Sequence, residues 1–444
     1  MTKRVYIETY GCQMNVADTE LMFGVLGRDG YERTDAPEEA DVMLVNTCAV
    51  RDNAEQRVIG RVGELLRHKR PGDLLGVVGC MAQRLGPKLL AQTARVDLVV
   101  GPDAYRNLPG LLGQAAAGER VSDTDFRSWE HYEDVPPVRD AAPTQFVTVQ
   151  RGCDYRCTFC IVPYTRGPER SRKLEDVVAE VRVLVEQETT EVTLLGQTVN
   201  SYHDGTHDFA DLLRAVGAVD GVRRIRFTSP YPTDFTERVV EAMATTPAVC
   251  EHVHLPLQSG SNAVLKRMLR RYTREQYLEV VARLRAAIPG ITFSTDVIVG
   301  FPGETDAQFE ETLSAVVEAD LDDAYTFKYS VREGTPAVKL AARDEVPDDV
   351  ASARLERLIE TMRAQARRKN MGRVGSEHEV LVERPAKRGG LMLGRTRTNH
   401  LVLLDLPATA IGEYHTVRLT GTTGSTFTGA LLGARPSAPS LVVL

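Results

Sequence analysis

The sequence predicts a three-part α/β protein, with an N-terminal open parallel α/β domain, a central partial (β/α)6 barrel and a small C-terminal all-β barrel. Three changes of pattern along the chain support this prediction. Short β-rich runs alternate with helical segments over residues 1–113, further strand–helix units follow over residues 143–372, and short strands occupy residues 373–436. Strands that alternate with helices are typical of parallel sheets, whereas closely spaced short strands are typical of small barrels.

The first unit contains the predicted strands VYIETYG, DVMLVNT, LLGVVG and VDLVV, with helices that begin near Val16 and Ala49. This is the strand–helix–strand pattern of a parallel sheet. Residues 114–142 mix small, proline and charged residues without a clear period, and they include the only tryptophan, Trp129. This stretch is predicted to be a connector.

The second unit contains the predicted strands FVTVQRG, EVTLLGQ, RIRFTSP, HVHLPLQ, ITFSTDVIVG and AYTFKYS. Amphipathic helices are expected between them, for example over residues 174–187 and 274–287, which predicts an incomplete parallel barrel. An arginine-rich helix over about residues 348–371 leads to the third unit, whose strand-forming runs are EHEVLVER, LMLGRTRTNHLVLL, GEYHTVRLTG and FTGALLG. Small barrels of this kind are related to nucleic-acid-binding folds.

Composition argues against several classes of protein. No apolar run approaches the roughly 18–20 residues that a membrane span needs, and the N-terminus lacks the apolar segment of a secretory signal, so a cytoplasmic protein with no membrane partner is expected. Seven cysteines in a reducing compartment favour metal or redox chemistry over disulfides. Because the formal net charge is -7, any RNA binding must come from a local basic surface.

Three cysteines, Cys153, Cys157 and Cys160, follow the first predicted strand of the central unit with C-x3-C-x2-C spacing. Thiolates suit iron–sulfur clusters or zinc, and a structural zinc site needs a fourth ligand close by. The nearest histidine in sequence, His131, lies upstream in the connector. Three thiolates on a four-iron cluster would leave one iron open to a further ligand, and a zinc loop with a distant fourth ligand is the alternative.

Three more cysteines, Cys12, Cys48 and Cys80, each follow a predicted strand of the N-terminal unit. Since the carboxyl ends of parallel strands meet at one edge of a sheet, these thiols are expected to converge and to hold a second cluster. The alternative is a set of small buried core residues. Cys250 has no such companions and is expected to be a plain core residue.

The triplet loop resembles that of the radical S-adenosylmethionine (SAM) superfamily, and the whole chain resembles its methylthiotransferase family. The motifs that carry the resemblance are ETYGCQMN, NTCAVRDNAEQRV, VGCMAQR, QRGCDYRCTFCIVPYTRGPERSR, LLGQTVNSY and HVHLPLQSGS. The C-terminal unit, with GRTRTNH, looks like the RNA-binding TRAM domain. Gln13, Met14 and Asn15 favour the branch that acts on isopentenylated adenosine in tRNA. Thr198 and His400 depart from the family pattern, which usually has Asn and Arg there.

The resemblance implies two [4Fe-4S] clusters and SAM as cofactors. One SAM would donate a methyl group to a sulfur on the N-terminal cluster, and a second would yield a 5'-deoxyadenosyl radical at the central cluster. The radical would remove hydrogen from carbon 2 of N(6)-isopentenyladenosine beside the anticodon, where a methylthio group replaces it. The implied partners are tRNA, an electron donor such as a flavodoxin or ferredoxin, and a sulfur or cluster-delivery protein.

The resemblance also implies which residues line the cavity for SAM and substrate. They follow successive strands of the barrel, where a parallel barrel places its ligand sites, and they are Gly196, Gln197, Asn200, His254, Gln258, Ser259 and Asp296. Any one of them alone is as well explained by an ordinary turn.

Basic residues concentrate from the last long helix into the C-terminal unit. Those expected to bind RNA are Arg384, Lys387, Arg388, Arg395 and Arg397. The arginines of the preceding helix either belong to the same RNA-binding surface or form an ordinary solvent-exposed helix face. Arg166, Arg170 and Arg172, which follow the triplet, would meet tRNA phosphates or the SAM carboxylate, or else be solvated.

Two rival functions accompany the tRNA-modifying enzyme. The first is a relative that modifies a ribosomal protein, whose branch usually has Pro-Lys-Asn after the first cysteine. The second is a zinc-stabilised RNA-binding protein without catalysis.

Overall fold

The computed structural model describes residues 2–49, 52–92, 95–387 and 389–432, without the side chains of residues 52–57 and 92. Its N-terminal unit is a parallel sheet in the order β2-β1-β3-β4-β5-β6. The strands are β1 (Arg4–Tyr10), β2 (Glu32–Arg33), β3 (Val42–Thr47), β4 (Leu74–Gly79), β5 (Leu98–Val100) and β6 (Val121–Asp123). The long strands β3 and β4 are buried throughout, as apolar runs covered on both faces should be.

Helices cover both faces of this sheet. They are α1 (Gln13–Arg28), α2 (Asp52–Leu65), α3 (Cys80–Leu85), α4 (Pro87–Gln92) and α5 (Leu108–Ala116). The segment predicted to be a connector is more ordered than expected, because β6 pairs with β5 as the sixth strand. Tyr132 and Val135 are also buried in the core beneath α1 and α5. The small apolar residues of this segment thus complete the N-terminal unit before the chain reaches the barrel.

The central unit has six parallel strands in chain succession, as predicted. They are β7 (Thr144–Thr148), β10 (Glu191–Leu195), β11 (Arg224–Phe227), β12 (His252–His254), β13 (Thr292–Val299) and β14 (Asp323–Lys328), with a short pair β8 (Gln150–Arg151) and β9 (Arg170–Ser171). A bridge between Ile225 and Val249 joins the two halves of the sheet. Alternate residues such as Phe293 and Val297 face the surrounding helices in the main core, so Ser294 and Asp296 face the interior of the barrel.

The helices of the central unit lie mainly around the barrel, whereas α6 contacts α3 of the N-terminal unit. They are α6 (Val162–Thr165), α7 (Leu174–Glu186), α8 (Phe209–Gly217), α9 (Glu237–Thr245), α10 (Asn262–Arg267), α11 (Arg274–Ala287), α12 (Asp306–Glu318), α13 (Ala337–Asp344) and α14 (Asp348–Arg373). Threonine caps with capping boxes start α11 and α12, at Thr273 and Thr305. The amphipathic patterns over residues 174–187 and 274–287 therefore form α7 and α11 within one residue of the expected bounds.

The C-terminal unit is a closed five-stranded barrel in the order β15-β16-β17-β19-β18. Its strands are β15 (Glu377–Pro385), β16 (Met392–Thr396), β17 (Leu401–Leu404), β18 (Tyr414–Thr422) and β19 (Thr426–Leu431). The three-part α/β fold expected from the sequence is thus confirmed. No helix in the described ranges is long and apolar enough to span a membrane.

Candidate metal centres and substrate cavity

The three N-terminal cysteines stand at the carboxyl edge of three adjacent strands. Tyr10 of β1 pairs with Thr47 of β3, which pairs with Gly79 of β4. Cys48 and Cys80 directly follow those last two residues, and Cys12 comes two residues after Tyr10. The register of the sheet therefore brings the three thiols together, as strand-end placement predicted.

Close approach between these strand ends depends on Gly11. A Cβ on Gly11 would lie 2.8 Å from Cys48 Cβ and 2.5 Å from Asn15 Oδ1, and its φ of +149° also disfavours a side chain. Asn15 is fully buried and accepts a hydrogen bond from the Cys12 thiol at 3.3 Å. Its amide also donates to Asn46 Oδ1 at 3.0 Å, which fixes the start of α1 to the end of β3.

The electrostatics at this edge favour a thiolate on Cys12. The pKa of Cys12 is lowered to about 6, chiefly by a hydrogen bond with Cys48 and also by the charge of Arg166 and backbone N–H groups at the start of α1, against the opposing effect of burial. Burial raises the pKa of Cys80, and Arg166 opposes that shift. Metal binding uses the deprotonated thiol, so positive charge and helix N–H groups suit this edge to cluster ligation.

The triplet lies in the loop between β8 and α6. Cys153 and Cys157 are buried and Cys160 is partly exposed, and the Cys160 N–H donates to the Cys157 carbonyl at 3.0 Å. Gly152 has a φ of +78°, and a Cβ there would collide with the carbonyl of Pro168. Burial raises the pKa of Cys153 to about 11 and that of Cys160 to about 12. In the protein without metal, these two thiols are therefore protonated at neutral pH.

Both thiol triads fit a [4Fe-4S] cluster by their donor chemistry, since each supplies three thiols and leaves one iron for another ligand. Among the described residues, no three Cys, His, Asp or Glu side chains are grouped as ligands of a single metal ion. Ligands of a cluster bind different iron atoms and so stand wider apart than the ligands of one zinc ion.

Arg166 connects the two triads. It follows α6, directly after the triplet loop, and its Nε donates to Cys80 Sγ at 3.2 Å. Its Nη2 pairs at 2.7 Å with Asp18, a fully buried residue of α1 that also binds Arg151 at 2.9 Å. Ile161 of the triplet loop packs beside Cys80. The two candidate cluster sites therefore face each other across a buried ion-pair network.

The other arginines after the triplet also form ion pairs with carboxylates. Arg170 pairs with Asp103 of the N-terminal unit at 2.8 Å, and Arg172 pairs with Glu180 of α7 at 2.5 Å. All are buried or nearly so. Neither expectation for these arginines was right, because they bind internal carboxylates instead of phosphates, SAM or solvent.

Some of the residues expected to line the cavity have polar groups that are available to a ligand. Gln197 follows β10, and its buried Oε1 has no hydrogen-bond partner in the described part of the chain. His254 lies on the interior face of the barrel, with Nε2 3.4 Å from Asp296 and Nδ1 2.9 Å from Ser294 Oγ. Gly196 lies close to Gln150, because a Cβ at this position would approach Gln150 Oε1 to 2.8 Å.

Other expected cavity residues support the loops instead. The side-chain amide of Asn200 donates to the Tyr231 carbonyl at 2.9 Å and accepts from the Tyr231 N–H at 2.7 Å. Ser259 is fully buried, with Oγ 3.2 Å from Thr312 Oγ1. Gln258 has a φ of +67°, and its N–H donates to the Asp296 carbonyl at 2.8 Å. Asn200 and Ser259 are thus held by internal hydrogen bonds, and their contact with SAM stays a prediction.

Sequence reasoning missed Arg270 and the aromatic side chains around it. Arg270 Nη1 donates to Cys157 Sγ at 3.4 Å, and its guanidinium stacks over Tyr231 and Tyr272 at 4.3 and 4.9 Å. Tyr155 within the triplet loop stacks on Tyr231 at 3.7 Å. Tyr155 was detectable inside the motif, whereas Arg270 is remote in sequence and carries no local signal.

The expected RNA-binding residues divide into two groups. Arg384 and Lys387 are exposed and have no ion pair among the described residues, whereas Arg388 lies outside the described residues. Arg395 pairs with Glu383 of the neighbouring strand at 2.6 Å. Arg397 binds Glu251 of the barrel at 2.7 Å. Arg397 therefore joins two units of the protein, and its contact with RNA stays a prediction.

Two remaining expectations concern single residues. Cys250 is buried at the base of the barrel, where its N–H donates to the Ile225 carbonyl, as suits a core residue. Thr198, which departs from the family pattern, donates from Oγ1 to Glu169 at 2.9 Å. The hydroxyl at this position is thereby hydrogen-bonded to the residue that precedes β9.

Family models match three segments of the chain in succession. Residues 4–101 match the uncharacterized protein family UPF0004, residues 147–316 match the radical SAM superfamily, and residues 373–432 match the TRAM domain. These segments fall in the three structural units in order, and the first two end before β6 and β14 respectively.

Curated relatives match nearly the whole chain. Proteins named tRNA-2-methylthio-N(6)-dimethylallyladenosine synthase are 46% identical in Anoxybacillus flavithermus, 43% in Chloroherpeton thalassium and 44% in Porphyromonas gingivalis. Each alignment covers 97% of this chain, and it covers 83%, 96% and 95% of the respective relative.

Solved structures share the fold at low sequence identity. The radical SAM methyltransferase TsrM from Kitasatospora setae matches with a TM-score of 0.59 at 16% identity, over 78% of this chain and 80% of that one. The cobalamin-dependent radical SAM enzyme OxsB matches with a TM-score of 0.54 at 15% identity, over 81% of this chain and 56% of that one. These similarities support the arrangement of the parallel sheet and the partial barrel.

Proposed function

Because the chain belongs to the family of tRNA-2-methylthio-N(6)-dimethylallyladenosine synthases, which are radical SAM methylthiotransferases, we propose that it adds a methylthio group to carbon 2 of N(6)-isopentenyladenosine beside the tRNA anticodon. One SAM is the methyl donor and a second is the source of the radical. The observation that carries this proposal is the pair of facing thiol triads, with Arg166 in contact with Cys80 between them.

The two triads have different tasks. Cys153, Cys157 and Cys160 would hold the cluster that serves SAM cleavage, whereas Cys12, Cys48 and Cys80 would hold the cluster that serves sulfur insertion. When bound, these clusters supply the electron for SAM cleavage and the sulfur atom for insertion. The substrate carbon has no acidic proton, so general-base chemistry cannot remove its hydrogen and a radical is required. Because Arg166, which follows the triplet loop, contacts Cys80 of the other site, the radical and the sulfur are within reach of one base.

The interior face of the barrel binds SAM and the substrate base. The unpartnered Gln197 Oε1 and the His254–Asp296 pair present polar groups there. Buried polar atoms without partners are costly, so a bound ligand with hydrogen-bond donors is the natural complement of Gln197.

The C-terminal barrel binds parts of the tRNA other than the base that is modified. Arg384 and Lys387 supply exposed positive charge that is not neutralised by an ion pair within the described ranges. A base in a single-stranded loop can be turned out into a protein cavity, which lets the barrel reach carbon 2. The partners are tRNA, a one-electron donor and a sulfur or cluster-delivery protein, and the place of action is the cytoplasm.

Nucleoside analysis of tRNA tests this function directly. Mass spectrometry of tRNA from a strain that lacks the gene should show isopentenyladenosine without its methylthio group. The wild-type gene should restore the methylthio group, and the Cys157→Ala gene should not. Unmodified tRNA in the wild type, together with a mass shift on a ribosomal protein, would contradict the proposal in favour of the protein-modifying branch.

A further inference from the structure

A basic cleft of about 590 Å3 opens beside the triplet loop. It is formed by the loop itself and by the segment from α10 to α11. Its lining includes Arg156, Asn262, Lys266, Leu269, Arg270 and Arg271.

The charge of this cleft is strongly positive for an acidic protein. Arg156, Lys266 and Arg271 are exposed and have no ion pair within the described ranges, and its lining includes no carboxylate. Two acids beside the lining are already bonded: Glu275 accepts from the Asn262 amide at 3.0 Å, and Asp234 accepts from the Tyr155 hydroxyl at 2.8 Å. Because most arginines near the cysteines are paired with carboxylates, these unpaired cations stand apart and are available to a negatively charged partner.

The cleft leads directly to a cluster ligand. Arg270 lines it and donates to Cys157 Sγ at 3.4 Å. Cys157 itself is only 6% exposed. A large molecule therefore cannot touch the thiol and has to bind on the side of the cleft that Arg270 lines. Leu269 is 53% exposed with a φ of +54° and presents an apolar side chain among the cations. An apolar contact surrounded by charge is the composition of a protein interface.

We propose that this cleft is the docking surface for a small acidic protein that carries a low-potential one-electron group. The inference rests on the proposed function, since it concerns delivery of the electron that starts the radical reaction. One electron leaves the reduced carrier and reaches SAM through the site at Cys157. The C5'–S bond of SAM then breaks to give methionine and the 5'-deoxyadenosyl radical, and the carrier departs oxidised by one electron.

The size and charge of the cleft favour such a carrier over RNA. Interfaces of electron-transfer proteins are small and transient, and complementary charge raises their association rate. RNA would need a longer basic track along its backbone, and the exposed cations Arg384 and Lys387 of the C-terminal barrel stand on a separate unit of the protein.

The test uses the Lys266→Glu/Arg271→Glu double variant with flavodoxin, an acidic flavin protein, as the probe. Neither residue contacts a cluster cysteine. We expect flavodoxin to bind the variant about tenfold more weakly than the wild type, and the wild-type affinity to fall as salt rises. With reduced flavodoxin as donor, 5'-deoxyadenosine formation should slow about tenfold, whereas the rate with dithionite should be unchanged.

The matched control is Arg182→Glu, which reverses the charge of an exposed arginine on α7 that has no ion pair within the described ranges. It should bind flavodoxin like the wild type. Equal flavodoxin affinity in the wild type and the double variant would overturn the inference. So would a loss of tRNA affinity alone, which would assign the cleft to RNA. If the wild type makes no 5'-deoxyadenosine even with dithionite, the proposed function fails, and the binding measurement still decides the docking surface.

Discussion

At the scale of single residues, the two thiol triads should be separable by mutation. Cys157→Ala should abolish 5'-deoxyadenosine formation, because the triplet holds the cluster that cleaves SAM. Cys48→Ala should retain at least part of that activity and stop methylthio insertion, because it affects only the N-terminal site. Chromatography of 5'-deoxyadenosine and mass spectrometry of the tRNA nucleosides measure the two steps. Parallel loss of both activities in Cys48→Ala would contradict this division of labour.

Arg166 offers a second test at this scale. Replacing it with Ala removes one of the two guanidinium partners of the fully buried Asp18 and the donor to Cys80. Breaking a buried ion pair costs about 3 kcal/mol, because a charge is left without compensation. Urea unfolding of the metal-free protein should show that loss, and the iron content after reconstitution should fall.

A surface ion pair provides the control for Arg166. Arg357 pairs with Glu310, and both side chains are about half exposed, so Arg357→Ala should change the free energy of unfolding by less than about 1 kcal/mol. Equal effects of the two substitutions would show that Asp18 is compensated by other groups.

At the scale of elements, the C-terminal barrel docks on the base of the central barrel through Arg397. Its guanidinium binds Glu251 and the carbonyls of Pro247 and Val249. Arg397→Ala should therefore destabilise this contact by about 2 kcal/mol, the range of hydrogen bonds to charged groups. Limited proteolysis between the two barrels should be faster in this variant. Lys387→Ala is the control, and cleavage at its wild-type rate is expected.

The turn between β16 and β17 contains a partly buried histidine, His400, which predicts a pH dependence. Burial lowers the pKa of His400 to about 4 from its usual 6.5, and the positive charge of Arg373 adds to this effect. Between these values the unfolded chain binds more protons than the folded one, so the free energy of unfolding falls as pH decreases from about 6.5 to 4. His400→Asn should flatten this decrease in urea titrations at several pH values. An unchanged slope would show that other groups dominate.

At the scale of the whole molecule, tRNA binding should depend on a few exposed cations. Arg384→Ala and Lys387→Ala should each weaken binding of tRNA to the holoenzyme and lower the slope of log affinity against log salt by about 1. Arg395, which is paired with Glu383 at 2.6 Å, should contribute less to that slope. Fluorescence anisotropy over a salt series measures these slopes, and a larger effect from Arg395→Ala would reverse the assignment.

The three-part fold and the strand-end position of the N-terminal cysteines were predictable from the sequence. Both follow from local information, because hydrophobic period and chain order fix the strands, and parallel pairing brings their carboxyl ends to one edge. The bounds of α7 and α11 were predictable for the same reason. The β6 strand was missed because a strand of three residues has too short a pattern to stand out from a connector.

The partners of the arginines could not be predicted from the sequence and became evident in the folded protein. A sequence shows that a guanidinium is present but not which carboxylate faces it, since partners such as Arg166 and Asp18 or Arg397 and Glu251 are 148 and 146 residues apart. Arginines that looked suited to phosphate thus proved to join units of the protein, while the cations of the cleft beside Cys157 remained unpaired. The physical reason is that ion pairing depends on distance in space, which follows from packing and not from spacing along the chain.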